Sequence, residues 1–183
     1  IMYPYLRYTK SIVDAFITNK KSQPLAFDQV SEVTVRCSIT DIDPMFEMNN
    51  GRVLTVYDIG RTDFIIRPGL AKQLLKNRWG MVVAGSTIQY RKRIRLFDKV
   101  TINTQLVGID ERWLYLEHSM WVKGKPCSSV LLRTGVTKGG KVIETAKVLK
   151  ALGEPNLVMS PEPWVQEWIA SNKDHRWPPM AKD

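Results

Sequence analysis

The second half of the chain alternates hydrophobic and polar residues, the pattern of strands that bury one face. Four strands are predicted there, over residues 79–90, 99–109, 113–122 and 127–137, separated by turns rich in Gly, Pro and Lys. An earlier segment, residues 30–40, is rich in Val and Thr and predicts a first strand that ends near Thr40. Short connections between consecutive strands indicate an antiparallel meander.

A different periodicity appears between the first strand and the meander. Asn50–Ile66 carries apolar residues at helical spacing on more than one face, and Asn49 and Asn50 are residue types that cap helix starts. We therefore expect a helix deep in the fold with the sheet around it, and Gly60 would let a strand approach its backbone. Short helices are predicted over residues 70–75 and Thr145–Leu152.

These elements predict an α+β fold in which about five antiparallel strands wrap around one long central helix. The 183 residues suit one core. We divide the chain into a docking helix with its linker (residues 1–29), a central domain (30–153) and an extension packed on that domain (154–183). The docking helix is predicted over residues 1–18, and polar residues 19–24 form the linker.

Composition narrows the class of protein. Hydrophobic residues make up 44% and charged residues 25%, as in soluble globular proteins, and charges interrupt every apolar run, so no membrane span is expected. The net charge of +9 favours anionic partners. Cys37 and Cys127 stand far apart without a CxxC motif, and the first 18 residues lack a small-residue cleavage site. We therefore expect a cytoplasmic protein without a metal site or a disulfide.

Acidic residues lie in the loop that leads into the central helix, in Asp41-Ile42-Asp43-Pro44-Met45-Phe46-Glu47-Met48-Asn49-Asn50. The first amides of a helix point outward and can stabilise a developing oxyanion. A carboxylate a few residues earlier could attack the same carbonyl or activate water. Ordinary turn and capping chemistry accounts for the same residues, so this pattern alone leaves both interpretations open.

Several pieces of sequence in this order resemble the hotdog-fold thioesterases of the 4-hydroxybenzoyl-CoA thioesterase-like superfamily, and more narrowly the branch related to thioesterase superfamily member six. The resemblance covers residues 30–153. The matching pieces are Met48-Asn49-Asn50-Gly51-Arg52, Asp58-Ile59-Gly60-Arg61, Tyr90-Arg91-Lys92-Arg93-Ile94, Asp98-Lys99-Val100 and Gly108-Ile109-Asp110-Glu111-Arg112-Trp113.

The resemblance implies a hotdog fold and roles for residues of the acidic loop. Asp43 would be the nucleophile or general base, and the Asn50 N–H would polarise the thioester carbonyl. Glu47 stands where many relatives have His; it either shares the catalytic work or serves as a loop residue. Asn49, beside Asn50, is predicted to contact substrate.

Four cations in residues 91–95 are predicted to continue a strand, with Arg91 and Arg93 on one face. They either bind the phosphates of coenzyme A or form a solvated, charged strand edge. Nucleic-acid binding is not favoured, because no stacking aromatics or binding motif accompany them.

The resemblance predicts hydrolysis of an acyl-CoA or acyl-carrier thioester to free acid and thiol, without a metal or cofactor, by a homodimer or a tetramer. The alternative is a binding protein that holds an acyl thioester without hydrolysing it, favoured by Glu47 and by Val53, where relatives carry an aromatic residue. His118 and His175 are predicted to be structural, since neither has a nucleophile at a recognisable spacing. Asp58 and Arg61 are expected to pair with each other.

Overall fold

The computed structural model describes residues 5–21 and 25–173, so His175 and Trp177 of the predicted extension lie outside the described residues. Within these residues, five α-helices and six strands follow one another. They are α1 (Tyr5–Lys21), β1 (Ser31–Arg36), α2 (Asn50–Ile66), α3 (Leu70–Asn77), β2 (Gly80–Tyr90), β3 (Lys99–Ile109), β4 (Leu114–Val122), β5 (Lys125–Lys138), β6 (Lys141–Val142), α4 (Thr145–Leu152) and α5 (Pro163–Lys173).

The strands form one antiparallel sheet in the order β1-β3-β4-β5-β2, with β6 paired to β5, and the sheet curls around α2. The predicted α+β architecture and the bounds of α2 are confirmed. A Cβ atom at Gly60 would lie 2.6 Å from Ile102 Cγ2 and 2.8 Å from Thr104 Oγ1, so glycine is what allows α2 and β3 to pack this closely. The sixth strand, β6, has two residues and adds to the five predicted.

The first strand is shorter than predicted, because its backbone turns toward another loop. Cys37 N–H donates to Asp98 O at 2.9 Å and Phe97 N–H donates to Cys37 O at 3.0 Å. A short 3-10 helix, Ile39–Asp41, then follows. Two other boundaries also differ from the prediction. Helix α1 continues to Lys21, past the predicted start of the linker. The turn between β4 and β5 consists of Lys123 and Gly124 alone, both at positive φ.

The prediction that residues 91–95 form a strand is wrong. β2 ends at Tyr90, and the N–H groups of Arg91 and Lys92 both donate to Cys127 O, at 2.8 and 3.0 Å, which breaks the ladder. Ile94 is buried, 4% exposed, and its carbonyl accepts from Met48 N–H at 2.8 Å. The segment is therefore a loop that inserts one apolar side chain into the core and leaves its cations in solvent.

Helices cover the sheet on both sides. The core lies between the concave face of the sheet and α2, and includes Val56, Tyr57 and Ile102. The outer face is partly covered by α5, where Arg133 lies between the rings of Trp113 and Trp168, 5.3 and 5.7 Å from their centroids. The first helix packs against α2. No helix within residues 5–21 and 25–173 is long and apolar enough to span a bilayer.

Candidate active site

The start of α2 presents one backbone donor without a partner. Asn49 caps the helix: its side-chain oxygen accepts from Gly51 N–H at 3.0 Å and Arg52 N–H at 3.3 Å, and its carbonyl accepts from Val53 N–H at 3.0 Å. Asn50 N–H has no acceptor among the described residues. The N-terminus of a helix favours negative charge, so this amide is placed to hold an oxyanion.

A buried carboxylate holds the loop that leads into α2. Asp41 is 1% exposed, and its oxygens accept from Arg7 at 2.8 and 2.6 Å and lie 3.3 Å from Arg52 Nε. Ser38 donates to it through its backbone N–H at 2.8 Å. Asp41 O also accepts from Asn49 N–H at 2.8 Å, so this cluster fixes the cap of α2. Nothing in the sequence marks Asp41 or Arg52 for this role, because a charged residue gives no sign of burial there.

A cavity of about 210 Å³, which we call the mouth cavity, opens beside the start of α2. It brings together four predicted site residues, Glu47, Asn50, Arg91 and Arg93. The remaining lining residues are Met48, Val53, Tyr90, Lys92, Ile94 and Ser128.

Three charged residues of the mouth cavity, Glu47, Arg91 and Arg93, already contact neighbouring side chains. Arg93 Nε lies 2.9 Å from Glu47 Oε2, and Arg91 donates to the Gln89 side chain at 2.9 Å. Arg93 is largely exposed while Glu47 is about two-thirds buried. The cavity therefore combines a carboxylate, an unpaired helix amide and a cationic rim.

Asp43 lies outside the mouth cavity. It lines a separate depression of about 410 Å³ together with Asn49, Arg52 and other residues of the loop and first helical turn. One carboxylate oxygen of Asp43 accepts from Met45 N–H at 2.8 Å, and the Asp43 carbonyl accepts from Phe46 N–H at 3.0 Å. Within one chain, therefore, Asp43 and Asn49 share one depression while Glu47 and Asn50 share the other.

Two further polar residues that sequence reasoning missed, Tyr90 and Ser128, line the mouth cavity. Ser128 Oγ and the hydroxyl of Tyr57 lie 2.7 Å apart, both buried, and burial raises the pKa of Tyr57. The Tyr90 hydroxyl donates to Asn50 O at 3.3 Å. These residues come from strands and a helix far apart in sequence, so only the fold brings them together.

Several other predictions concern residues away from this cavity. His118 is fully buried; its Nδ1 lies 2.8 Å from Thr104 Oγ1, and burial, with Arg61 nearby, lowers its pKa to about 3. The predicted Asp58–Arg61 pair is confirmed at 2.7 Å. Both cysteines are free and buried. Among the described residues, no cluster of three or more His, Cys, Asp or Glu could hold a metal ion.

Solved structures share this architecture. YbaW Probable Thioesterase from Escherichia coli aligns with a TM-score of 0.62 and 18% identity, over 67% of this chain and 96% of that one. DHNA-CoA Thioesterase from Staphylococcus aureus aligns with a TM-score of 0.62 and 14% identity, over 80% of this chain and 96% of that one. The predicted hotdog fold is thereby confirmed.

Sequence comparison identifies the family. Protein THEM6 of Xenopus laevis is 32% identical over 103 residues, which are 55% of this chain and 50% of that protein. The chain spans about half the length of the curated relatives it matches. Residues 37–169 match the family model described as Thioesterase-like superfamily. With that match covering most of the chain and the hotdog fold around α2, the protein belongs to the Thioesterase-like superfamily, in a branch resembling THEM6.

Proposed function

We propose that the protein hydrolyses an acyl thioester of coenzyme A in the mouth cavity. The observation that carries the proposal is Asn50, whose N–H has no acceptor among the described residues and which lines the same cavity as a carboxylate and a cationic rim. A thioester carbonyl placed against this amide would gain stabilisation as its oxygen becomes negative. Family membership supports thioester hydrolysis as the reaction class.

In this mechanism a carboxylate of the Asp43–Glu47 loop takes a proton from water, and the water oxygen attacks the thioester carbon. The tetrahedral oxyanion is held by Asn50 N–H. Its collapse breaks the C–S bond, and the leaving thiolate takes up the proton, which gives free acid and thiol. The family resemblance assigns the base to Asp43, whereas Glu47 shares the cavity with Asn50 in the structure.

The cations of the rim support coenzyme A as the thiol carrier. Arg91, Lys92 and Arg93 line the mouth cavity and are exposed, so their side chains can meet phosphates at its entrance. We expect Arg91→Gln to raise KM for an acyl-CoA about tenfold with little change in kcat. An acyl-carrier thioester also presents a phosphate. Comparing KM for acyl-CoA and acyl-carrier substrates therefore shows which of the two thiol carriers the protein prefers.

Proline substitution can test the amide directly. Asn50→Pro removes the N–H at the first helical position, where proline is well tolerated, and Asn49 already has the φ of −58° and ψ of 137° that suit a residue before proline. The matched control, Asn50→Ala, retains the N–H. We expect kcat for thiol release to fall about a hundredfold in Asn50→Pro relative to Asn50→Ala. Equal rates in the two variants would reject the assignment.

Isosteric amide substitutions can show which of the two carboxylates is the general base. Asp43→Asn and Glu47→Gln each remove one charge, and Glu32→Gln, at an exposed position on β1, is the control. Loss of a general base lowers the rate by about a hundredfold or more. The carboxylate whose replacement gives that loss is the base, and full activity in both variants would exclude this loop from the chemistry.

A binding protein without hydrolytic activity is the second candidate. Two observations favour it: Glu47 is held by Arg93, and Asp43 lies outside the mouth cavity. Calorimetry with a non-hydrolysable acyl-CoA analogue, beside a thiol-release assay over a panel of acyl-CoAs, distinguishes the candidates. Binding without thiol release identifies the binding protein.

We also propose a cytoplasmic homodimer paired through β2. None of the eleven residues of β2 is buried, β2 bonds to β5 along one edge only, and it exposes Val82 and Val83. A long apolar edge strand favours pairing with another strand, and a second β2 in antiparallel register would cover it. Sedimentation velocity should show a dimer that Val83→Lys dissociates; a wild-type monomer would refute this pairing.

A further inference from the structure

The loops at one end of the sheet project apolar side chains into solvent. This end, which we call the loop end, comprises residues 37–49, residues 91–98 and the hairpin Lys123–Lys125. Hydrogen bonds from Met48 N–H to Ile94 O and from Phe97 N–H to Cys37 O hold the two loops side by side. Its large exposed hydrophobic residues are Ile39 (75% exposed), Met45 (67%), Phe46 (83%), Leu96 (36%) and Phe97 (63%).

Two of these residues, Phe46 and Phe97, combine an unfavourable backbone conformation with a large apolar side chain exposed to solvent. Phe46 has φ of 60° and Phe97 has φ of 66°, a left-handed region that glycine adopts far more readily. Neither side chain contributes much packing to the fold, because most of each ring is in solvent. The stability of this chain therefore does not explain why a large ring stands at either position.

Positive charge surrounds these apolar side chains. The exposed cations at the loop end are Arg91, Lys92, Arg93, Arg95, Lys123 and Lys125, and the exposed Arg36 and Lys99 stand directly beside it in the chain. Four carboxylates lie in the same loops: Glu47 pairs with Arg93, Asp41 is buried between two arginines, Asp98 accepts from Arg95 N–H, and Asp43 accepts from Met45 N–H. The described surface at this end is thus strongly cationic around an apolar centre.

We propose that the loop end docks on an anionic lipid bilayer. Phe46 and Phe97 enter the headgroup and acyl boundary, and the surrounding lysines and arginines bind the lipid phosphates and carboxylates. Apolar side chains ringed by cations are the combination that binds anionic membrane surfaces peripherally. A nucleic acid would use the cations but offers no apolar phase for these side chains.

This orientation places the mouth cavity against the bilayer, because Arg91 and Arg93 belong to both surfaces. The docking proposal stands whether or not the cavity hydrolyses a thioester. It is also separate from the β2 edge, so docking and dimer formation are expected to respond to different substitutions.

The test is cosedimentation of the full chain with two kinds of vesicle. One is phosphatidylcholine alone and the other mixes phosphatidylcholine and phosphatidylserine at roughly three to one. We expect binding to the mixed vesicles at about 0.1 M salt, and its loss at about 0.5 M salt, where charge is strongly screened. Equal binding to both vesicles, or none to either, would overturn the proposal.

Substitutions locate the docking surface. Phe46→Gly with Phe97→Gly removes both rings and suits the positive φ, so the fold is retained. We expect the lipid partition coefficient to fall at least about tenfold. The matched control is Leu75→Ala with Val158→Ala, which removes two side chains that are 79% and 85% exposed away from the loop end. An equal loss in the control would reject the loop end as the docking surface.

Two further measurements complete the test. Arg95→Gln with Lys125→Gln, outside the mouth cavity, should weaken binding to the mixed vesicles severalfold and leave the thermal midpoint unchanged; unchanged binding would overturn the electrostatic part and with it the proposal. Sedimentation velocity on the double glycine variant tests the alternative that a second copy of this chain, rather than lipid, binds the loop end. A change from dimer to monomer there would show that the phenylalanines form a subunit interface, and would overturn docking on lipid.

Discussion

Replacing Asp41 with Asn removes the charge at the centre of the cluster that holds the α2 cap. The variant keeps the size of the side chain and one acceptor oxygen. What it loses is the anion between Arg7 and Arg52, both of which approach its carboxylate within 3.3 Å. Because Asp41 O binds Asn49 N–H, we expect disorder in the cluster to reach the start of α2.

The magnitude follows from burial. The Arg52 side chain is 5% exposed and that of Asp41 is 0% exposed, so the substitution removes a buried negative charge from beside a buried cation. Breaking a buried pair from one side destabilises a protein by about 3–5 kcal/mol. The Asn oxygen still accepts a hydrogen bond, which places the expected loss near the lower limit, at about 3 kcal/mol.

Urea unfolding measures this loss, and the chain provides a matched control. Asp14→Asn makes the same chemical change in the Lys10–Asp14 pair, whose side chains are 78% and 57% exposed. An exposed pair contributes about 0–1 kcal/mol. With an m-value near 2 kcal/mol/M, Asp41→Asn should lower the urea midpoint by about 1.5 M and Asp14→Asn by less than about 0.5 M.

A comparable small shift in both variants would refute the reasoning, since it would mean that the buried cluster contributes no more than a surface ion pair. Thiol release adds a second readout. If Asp41→Asn left both the urea midpoint and kcat unchanged, Asp41 would have no part in holding the helix cap.

Two further predictions concern the packing of α2 against β3 and the pH dependence that buried His118 gives to stability. Gly60→Ala should lower the free energy of unfolding by about 1–3 kcal/mol, because the new Cβ would clash with Ile102. The control is Gly51→Ala, whose Cβ would lie 3.3 Å from the Asn49 side chain and which should change the free energy of unfolding by less than about 1 kcal/mol. Equal urea midpoints for the two variants would contradict the close approach of α2 and β3. Because His118 has its pKa lowered from 6.5 to about 3, the unfolded chain binds its proton first, and stability is lost as pH falls below 6.5. His118 should contribute about 2 kcal/mol less stability at pH 5 than at pH 7, and urea unfolding of His118→Gln should lack this component.

The long helix was predictable because its signals are local. The Asn cap and apolar residues on several faces lie within one stretch of chain, and the observed bounds are Asn50–Ile66. Gly60 pointed correctly to a close approach, although its partners on β3 could not be identified without the fold. The meander was predictable for the same reason, because alternation and turn residues are patterns of neighbouring positions in the sequence.

The basic segment after β2 shows where local signals fail. Arg91 and Arg93 match a strand pattern, but Cys127 O takes two N–H donors there and Ile94 turns into the core. Both events depend on residues more than thirty positions away. The burial of Asp41 could not be predicted either, because it depends on ion pairs with Arg52 and with the distant Arg7.

By itself, then, the amino-acid sequence determined the order of the elements and a short catalytic candidate loop, because helix caps, alternation and turn residues act over a few neighbouring positions. The hotdog family was predicted from the resemblance of several motif pieces to known thioesterases. Tertiary structure alone decided which carboxylate shares a cavity with Asn50 N–H, which arginines hold Asp41, and which apolar side chains remain outside the core at the loop end. Those outcomes depend on distances between segments that the chain separates widely, and folding sets such distances through packing of the whole molecule.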